Sequence, residues 1–235
     1  MFVLFICISF VFHLYLYYLL MTNSTNVYSG ESKLSIELLS STPDPELTIA
    51  KAASTCYDSR PKELEPARKM IRGIIKSGHE SCIEHASAGF VIDGISRVVS
   101  HEIVRHRIGV AYSQRSQRYV NEDKPSFVVP EEIKGNPFFE AEFLKAMRNA
   151  WSSYKELQQM GLKNEIARYV LPNACTTKIS VTMDFRAWRN FLKLRLSKRA
   201  QPEIRALAYA LLDELVKIAP SCFEDLKDGE NIQNT

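Results

Sequence analysis

Residues 97–119 read Arg97-Val98-Val99-Ser100-His101-Glu102-Ile103-Val104-Arg105-His106-Arg107-Ile108-Gly109-Val110-Ala111-Tyr112-Ser113-Gln114-Arg115-Ser116-Gln117-Arg118-Tyr119. A helix is predicted over Ser96–His106, with Val98, Val99, Ile103 and His106 on its inner side. On the opposite side Arg97, His101 and Arg105 recur every four residues. The Arg-His-Arg triplet closes this helix, and a polar loop runs on to Ser116-Gln117-Arg118-Tyr119. Planar guanidinium groups with hydroxyl and amide donors between them suit a site that grips phosphate and a uracil-like edge.

Upstream, Lys33–Ser40 alternates apolar and polar residues as a half-buried strand does. Asp44-Pro45-Glu46 starts a helix that runs through Ala52-Ala53 towards Cys56-Tyr57, with Pro45 at the first helical position. A second helix covers Pro66–Lys76, with Met70, Ile71, Ile74 and Ile75 on one face, and Ser77-Gly78 stops it. Ala86–Ile92 reads as a strand. Downstream, Ser126–Val129 is a short strand, and Asn136-Pro137 opens a long helix ending at Gly161. Asn164–Val170 forms a short helix and Thr176–Met183 a strand. Asp184 caps a helix through Leu194. Pro202 begins an amphipathic helix carrying Ile204, Leu207, Ala208, Leu211, Leu212, Leu215 and Ala219. The pattern is α/β (α+β mixed), helices around a small mixed sheet, without a Rossmann glycine fingerprint.

The 235 residues, 46% hydrophobic and 24% charged, suffice for a sizeable core, and one domain over residues 33–224 is expected. A net charge of +3, from 30 basic and 27 acidic side chains, is too balanced to indicate nucleic-acid binding. Cys7, Cys56, Cys82, Cys175 and Cys222 are odd in number and widely spaced, with no CxxC pair. That supports neither a disulfide framework nor a zinc knuckle, and fits a reducing, cytoplasmic compartment. Phe2–Leu20 has no charged side chain and could span a bilayer, yet no basic residue precedes it and no small-x-small cleavage site follows. The functional chain is expected to start at Met21, with residues 1–20 a start-site artefact; a membrane anchor is the other reading. Residues 21–32 and 225–235 are polar tails.

Four of the five histidines fall between His79 and His106. His101 and His106 lie about 140° apart around a helix, and arginines flank them, so a metal site does not fit. The segment Gly78-His79-Glu80-Ser81-Cys82-Ile83-Glu84-His85 is either a solvated capping turn or a turn whose Ser81, Glu84 and imidazoles face a ligand. Arg168, and Arg186, Asn190 and Arg195 on the helix after Asp184, are solvated faces when taken singly. No Gly-x-Ser-x-Gly elbow occurs, and Cys82 reads as a buried, inert thiol.

Taken in order, these residues resemble the flavin-dependent thymidylate synthases across nearly all of residues 34–224. The matching pieces are Ala52-Ala53 to Cys56-Tyr57, Gly78-His79-Glu80-Ser81 with Glu84-His85, and the Arg-His-Arg…Ser signature. They continue with Ala167-Arg168-Tyr169-Val170-Leu171-Pro172, Arg186 to Asn190, Leu194-Arg195, and Ala200-Gln201-Pro202-Glu203-Ile204-Arg205. The resemblance implies a methyltransferase that makes dTMP from dUMP in a homotetramer. FAD and dUMP would lie at subunit interfaces, methylenetetrahydrofolate would donate carbon, and NADPH would reduce the flavin. It also implies that Arg105, His106, Arg107, Ser81, Glu84, Arg186 and Asn190 hold the flavin, with His79 close to its ring. Glu102, Gln114, Arg115, Ser116, Gln117 and Arg118 would line the nucleotide, with Arg118 and Arg168 on its phosphate. Arg195 would meet the pyrimidine and stabilise charge developing on a uracil oxygen.

Three departures from the family pattern stand out. Eight residues, Ile108 to Arg115, separate the triplet from Ser116, one more than usual, so the loop before Tyr112 is expected to bulge. Glu102 replaces a frequent Gln, which is unfavourable beside a phosphate unless an arginine pairs with it. Asp184 replaces a common Asn. A flavin- or nucleotide-binding relative with impaired catalysis is therefore one alternative; a membrane-anchored phosphate-binding module using residues 2–20 is another.

Overall fold

The computed structural model describes residues 31–56 and 63–227. In chain order come β1 (Ser35–Ser41), α1 (Pro45–Ala53), α2 (Leu64–Lys76), β2 (Ser87–Ser96), α3 (Arg97–Ile103) and β3 (Val110–Gln114). Then follow α4 (Pro137–Gln159), α5 (Asn164–Ala167), β4 (Thr176–Asp184), α6 (Phe185–Arg195), α7 (Pro202–Ile218) and the single turn α8 (Pro220–Phe223). The described residues of Lys33–Arg115 and Thr177–Thr235 form one compact unit, and those of Met1–Ser32 and Ser116–Thr176 form another.

The first unit is built on a four-stranded sheet in the order β1-β2-β4-β3. Ile36 sits opposite Ile92 and Leu38 opposite Phe90; Tyr112 sits opposite Val181 and Gln114 opposite Ile179. Both edge pairings are antiparallel, where a mixed sheet was expected. Two helices rather than one separate β1 from β2 and β3 from β4, so the single-crossover geometry of a parallel pair is not met. Interior β2 is buried along most of its length, whereas edge strand β1 leaves Leu38 and Leu39 exposed. Phe90, Ile92, Val99, Val181, Trp188, Phe191, Leu207, Leu211, Leu215 and Phe223 are packed in one core, each large apolar side chain contributing about 1.5–3 kcal/mol on burial. The Trp188 indole N–H donates to the Ala88 carbonyl at 2.9 Å, and its ring meets Phe90 and Phe191 edge-on. That contact seats α6 on the sheet.

In the second unit, Phe127, Met147, Trp151 and Cys175 form a smaller core along α4. The Trp151 indole donates to the Glu122 carbonyl at 3.0 Å. Asn136 caps α4 as expected, its Oδ1 accepting from the N–H groups of Phe138 and Phe139. The strand expected over Ser126–Val129 reduces to isolated bridges from Phe127 to Glu31 and to Cys175. Pro125 and Pro130 bracket the segment and remove the donors a longer ladder needs.

Two more expectations change. α3 ends at Ile103 instead of His106, and Val98 is exposed. Val110–Gln114, expected as part of a polar loop bulging before Tyr112, is strand β3, reached through Gly109 at φ +68°. Among the described residues no helix is long and apolar enough to cross a membrane. Residues 1–30, with the expected leader, lie outside the described residues, as do Tyr57 and residues 228–235 of the polar tail.

Candidate active site

Helix α6 begins where β4 ends, at Asp184. The Asp184 Oδ1 accepts from the Ala187 N–H at 2.8 Å, an N-cap. Burial and the nearby Glu84 charge raise the pKa of its carboxyl, against the backbone bond from Ala187. The Asp184 N–H donates to the Gly109 carbonyl at 3.1 Å, and a Cβ on Gly109 would collide with the Asp184 carboxylate. Glycine is therefore required there on two counts, its left-handed φ and the close approach.

Helix α3 begins at Ser96, whose Oγ accepts from the Val99 N–H and donates to Glu203 Oε2 at 2.7 Å. Just beyond its other end, the Tyr112 hydroxyl lies 2.8 Å from the Ile103 carbonyl and 2.7 Å from the His106 carbonyl. Burial pushes the Tyr112 phenol up to about 12, so it stays a donor. It shares that donor between two carbonyls at the helix end, which anchors the Arg105-His106-Arg107 turn.

The two helices meet at Arg195. Its Nη1 donates to Glu102 Oε2 at 2.6 Å, its Nη2 to the Glu102 backbone carbonyl at 3.2 Å, and its Nε to His106 Nε2 at 3.1 Å. An imidazole nitrogen accepts only when it carries no proton. Burial, then the charge of Arg195, push the pKa of His106 down to about 4, keeping the ring neutral. The ring packs edge-on against Phe191 at 5.0 Å. The guanidinium is thereby fixed in plane by one carboxylate, one carbonyl and one neutral ring.

Elsewhere in the first unit, Gln114 Nε2 donates to Ser100 Oγ at 3.0 Å and to Thr177 Oγ1 at 3.1 Å, so its amide is partly used within the fold. Arg186 donates to Glu84 Oε1 at 2.6 Å. His79, Ser81, Arg105, Arg107 and Asn190 are exposed, and among the described residues Arg105 and Arg107 have no carboxylate partner. The Arg115 backbone N–H donates to the Lys178 carbonyl. Cys82, expected buried, is half-buried.

The remaining expected residues belong to the second unit. Ser116 Oγ accepts from the Arg118 N–H at 3.2 Å. Arg118 pairs with Glu165 at 2.7 Å and lies 5.3 Å from the Tyr119 ring centre. Arg168 is half-buried at the start of the turn Arg168–Val170. Gln117 is only 5% exposed, and its Nε2 has no hydrogen-bond partner. The structure thus brings Arg195, Glu102 and His106 into direct contact, joins Arg186 to Glu84, and engages Arg118 with Glu165. Sequence reading missed Tyr112, Ser100 and Thr177; the alternation of Val110, Tyr112 and Gln114 was the signal for the strand that delivers two of their contacts.

A four-stranded sheet flanked by helices, with Arg195 held by Glu102 and His106, defines an α/β domain. The family model described as thymidylate synthase complementing protein matches residues 37–221. The flavin-dependent thymidylate synthase of Clostridium tetani is 40% identical over 212 residues, covering 80% of this chain and 85% of that protein. The protein of the same name from Geobacter sulfurreducens is 43% identical over 205 residues, covering 83% of this chain and 88% of its own. The chain belongs to this family. In fold it is also similar to a crystal structure of the UMP/dUMP methylase PolB from Streptomyces cacaoi, with a TM-score of 0.74 at 24% identity, over 84% of this chain and 96% of that one.

Proposed function

We propose that this protein is an FAD-dependent thymidylate synthase that methylates dUMP reductively to dTMP, with methylenetetrahydrofolate as carbon donor and NADPH as reductant. The observation that carries the reading is the Arg195–Glu102–His106 cluster, built from residues 102–195 inside a span that matches the family from residue 37 to residue 221. A guanidinium fixed before the reaction, in a partly buried setting, stabilises charge developing on a uracil oxygen without reorganising. A flavin held there would supply the hydride chemistry.

The donor set fits that cofactor. Arg105 and Arg107 are exposed and unmatched by any described carboxylate, which suits a diphosphate, while Ser81 and Asn190 add neutral donors and His79 would stand near the ring. Arg186, engaged by Glu84, would act through that pair. Gln114, Arg115, Ser116, Gln117, Arg118 and Arg168 would bind the nucleotide; the unsatisfied buried amide of Gln117 supports this, since such a group costs about 1–3 kcal/mol until something accepts from it. Glu102 would act on the nucleotide through Arg195. We assign catalysis to residues 33–224, in the cytoplasm, in a homotetramer whose subunits complete one another's sites.

The catalytically impaired alternative rested on Glu102 and Asp184. Glu102 is neutralised by Arg195, and Asp184 caps α6, so neither residue argues for lost activity. The test is dTMP formation by the purified chain with dUMP, FAD, NADPH and methylenetetrahydrofolate, each omitted in turn. Product that requires all four is expected; binding of FAD and dUMP with no product would establish the binding-only alternative instead.

A further inference from the structure

Arg189 lies on the inner side of α6 and is 1% exposed, yet no step of the proposed reaction uses it. A buried guanidinium persists only with its charge matched and its donors satisfied. Its Nε donates to Glu80 Oε1 at 3.1 Å. Its Nη1 donates to the Cys222 carbonyl and to Asp225 Oδ1, both at 2.6 Å, and its Nη2 to Asp225 Oδ2 at 2.7 Å. Lys193, one turn along α6, donates to the same Glu80 oxygen at 2.7 Å. Burial works to raise the Glu80 carboxyl, but the bond from Lys193 and the charge of Arg189 outweigh it and hold the carboxyl below its ordinary value.

Glu80 opens the turn Glu80–His85, which carries Ser81 and Glu84 and directly follows His79. Helix α6 holds that turn at two points: Glu80 through Arg189 and Lys193, and Glu84 through Arg186. The far side of Arg189 is held in turn by the segment after α7, through Cys222 and Asp225. We propose that Arg189 is a positioning residue, and that the segment Pro220–Leu226 is a latch which, through Asp225 and Arg189, fixes the turn bearing His79, Ser81 and Glu84 and so sets affinity for the flavin. The inference rests on the flavin reading above.

A purely structural role for the segment is separable from this one. Glu224, beside Asp225, ties the same segment to α2 through Arg72 Nε at 2.7 Å and touches neither Arg189 nor Glu80. The experiment compares Asp225→Asn with Glu224→Gln in the full chain. It measures the FAD dissociation constant by flavin fluorescence, amide hydrogen exchange over residues 79–86, and the thermal midpoint. Asp225→Asn leaves the buried Arg189 guanidinium short of one charge partner. It is expected to raise the FAD dissociation constant about tenfold by loosening the turn, and to speed exchange there. Glu224→Gln is expected to change neither, whatever it does to the midpoint. Wild-type FAD affinity and protection in Asp225→Asn, or equal weakening in Glu224→Gln, overturns the latch while leaving the flavin reading intact. Failure of the unmodified chain to bind FAD overturns both.

Discussion

At the scale of single residues, Arg195 owes its usefulness to its two partners. Lysine at that position keeps the charge but cannot meet Glu102 and His106 in one plane. Arg195→Lys is therefore expected to lower the rate of dTMP formation by roughly a hundredfold, with a thermal midpoint near that of the wild type; full turnover would remove Arg195 from the chemistry. His106 makes a pH prediction. Its folded pKa, about 4, lies below the ordinary 6.5, so between those values the unfolded chain binds more protons than the folded one. Stability is therefore fully present above pH 6.5 and falls as the pH drops towards 4, by on the order of 2 kcal/mol. His106→Gln retains an acceptor for Arg195 and does not titrate. Urea unfolding at pH 7 and pH 4.5 should show wild type losing more stability than His106→Gln; parallel losses would mean that the ring is not held neutral.

At the scale of elements, two contacts decide how the triplet is presented, one from Tyr112 in the middle of β3 and one at Gly109 just before it. Tyr112→Phe keeps the ring but removes the shared hydroxyl bond at the end of α3. A loss of about 1 kcal/mol in urea unfolding is expected, with weaker FAD binding because the Arg105–Arg107 turn loosens; unchanged stability and FAD affinity would show that the hydroxyl anchors nothing. Gly109→Ala is expected to be harsher, about 2–3 kcal/mol, since φ +68° and the Asp184 carboxylate both oppose a Cβ. Elements with strong periodicity or good caps, such as α4 behind Asn136, α6 behind Asp184 and the apolar face of α7, were legible in the sequence. β3 was not, because Gly109 just before it and the polar Ser113 and Gln114 mask the alternation of Val110, Tyr112 and Gln114, and its strand character comes from pairing with β4 some seventy residues away. The arginines proposed for the site can be named from the sequence by type and order. Their partners cannot: nothing in local spacing says that Glu102 meets Arg195, or that Glu165 meets Arg118, because those pairings depend on packing between elements distant in sequence.

At the scale of the whole molecule, several side chains are left in a state that a lone chain does not explain. Ile108 is 89% exposed directly after the triplet, and Tyr119 and Tyr169 are exposed beside Arg118 and Arg168. The Gln117 amide, by contrast, is buried with no acceptor. Tyr119 and Tyr169 on their unit, and Ile108 on its own, each lie beside proposed binding residues and each fit a surface that another copy covers, as the proposed homotetramer requires. Light scattering on the purified chain is expected to give four times the mass of one chain. Ile108→Lys places a charge on that surface without touching any of the hydrogen bonds around Arg195, so each chain should fold while assembly weakens. Such a variant is expected to sediment as smaller species and to lose FAD binding and dTMP formation together, both recovering in part at high protein concentration because association follows mass action. If Ile108→Lys instead stays tetrameric and active, this surface is not the interface. A wild-type chain that is monomeric and fully active would mean that each chain completes its own site.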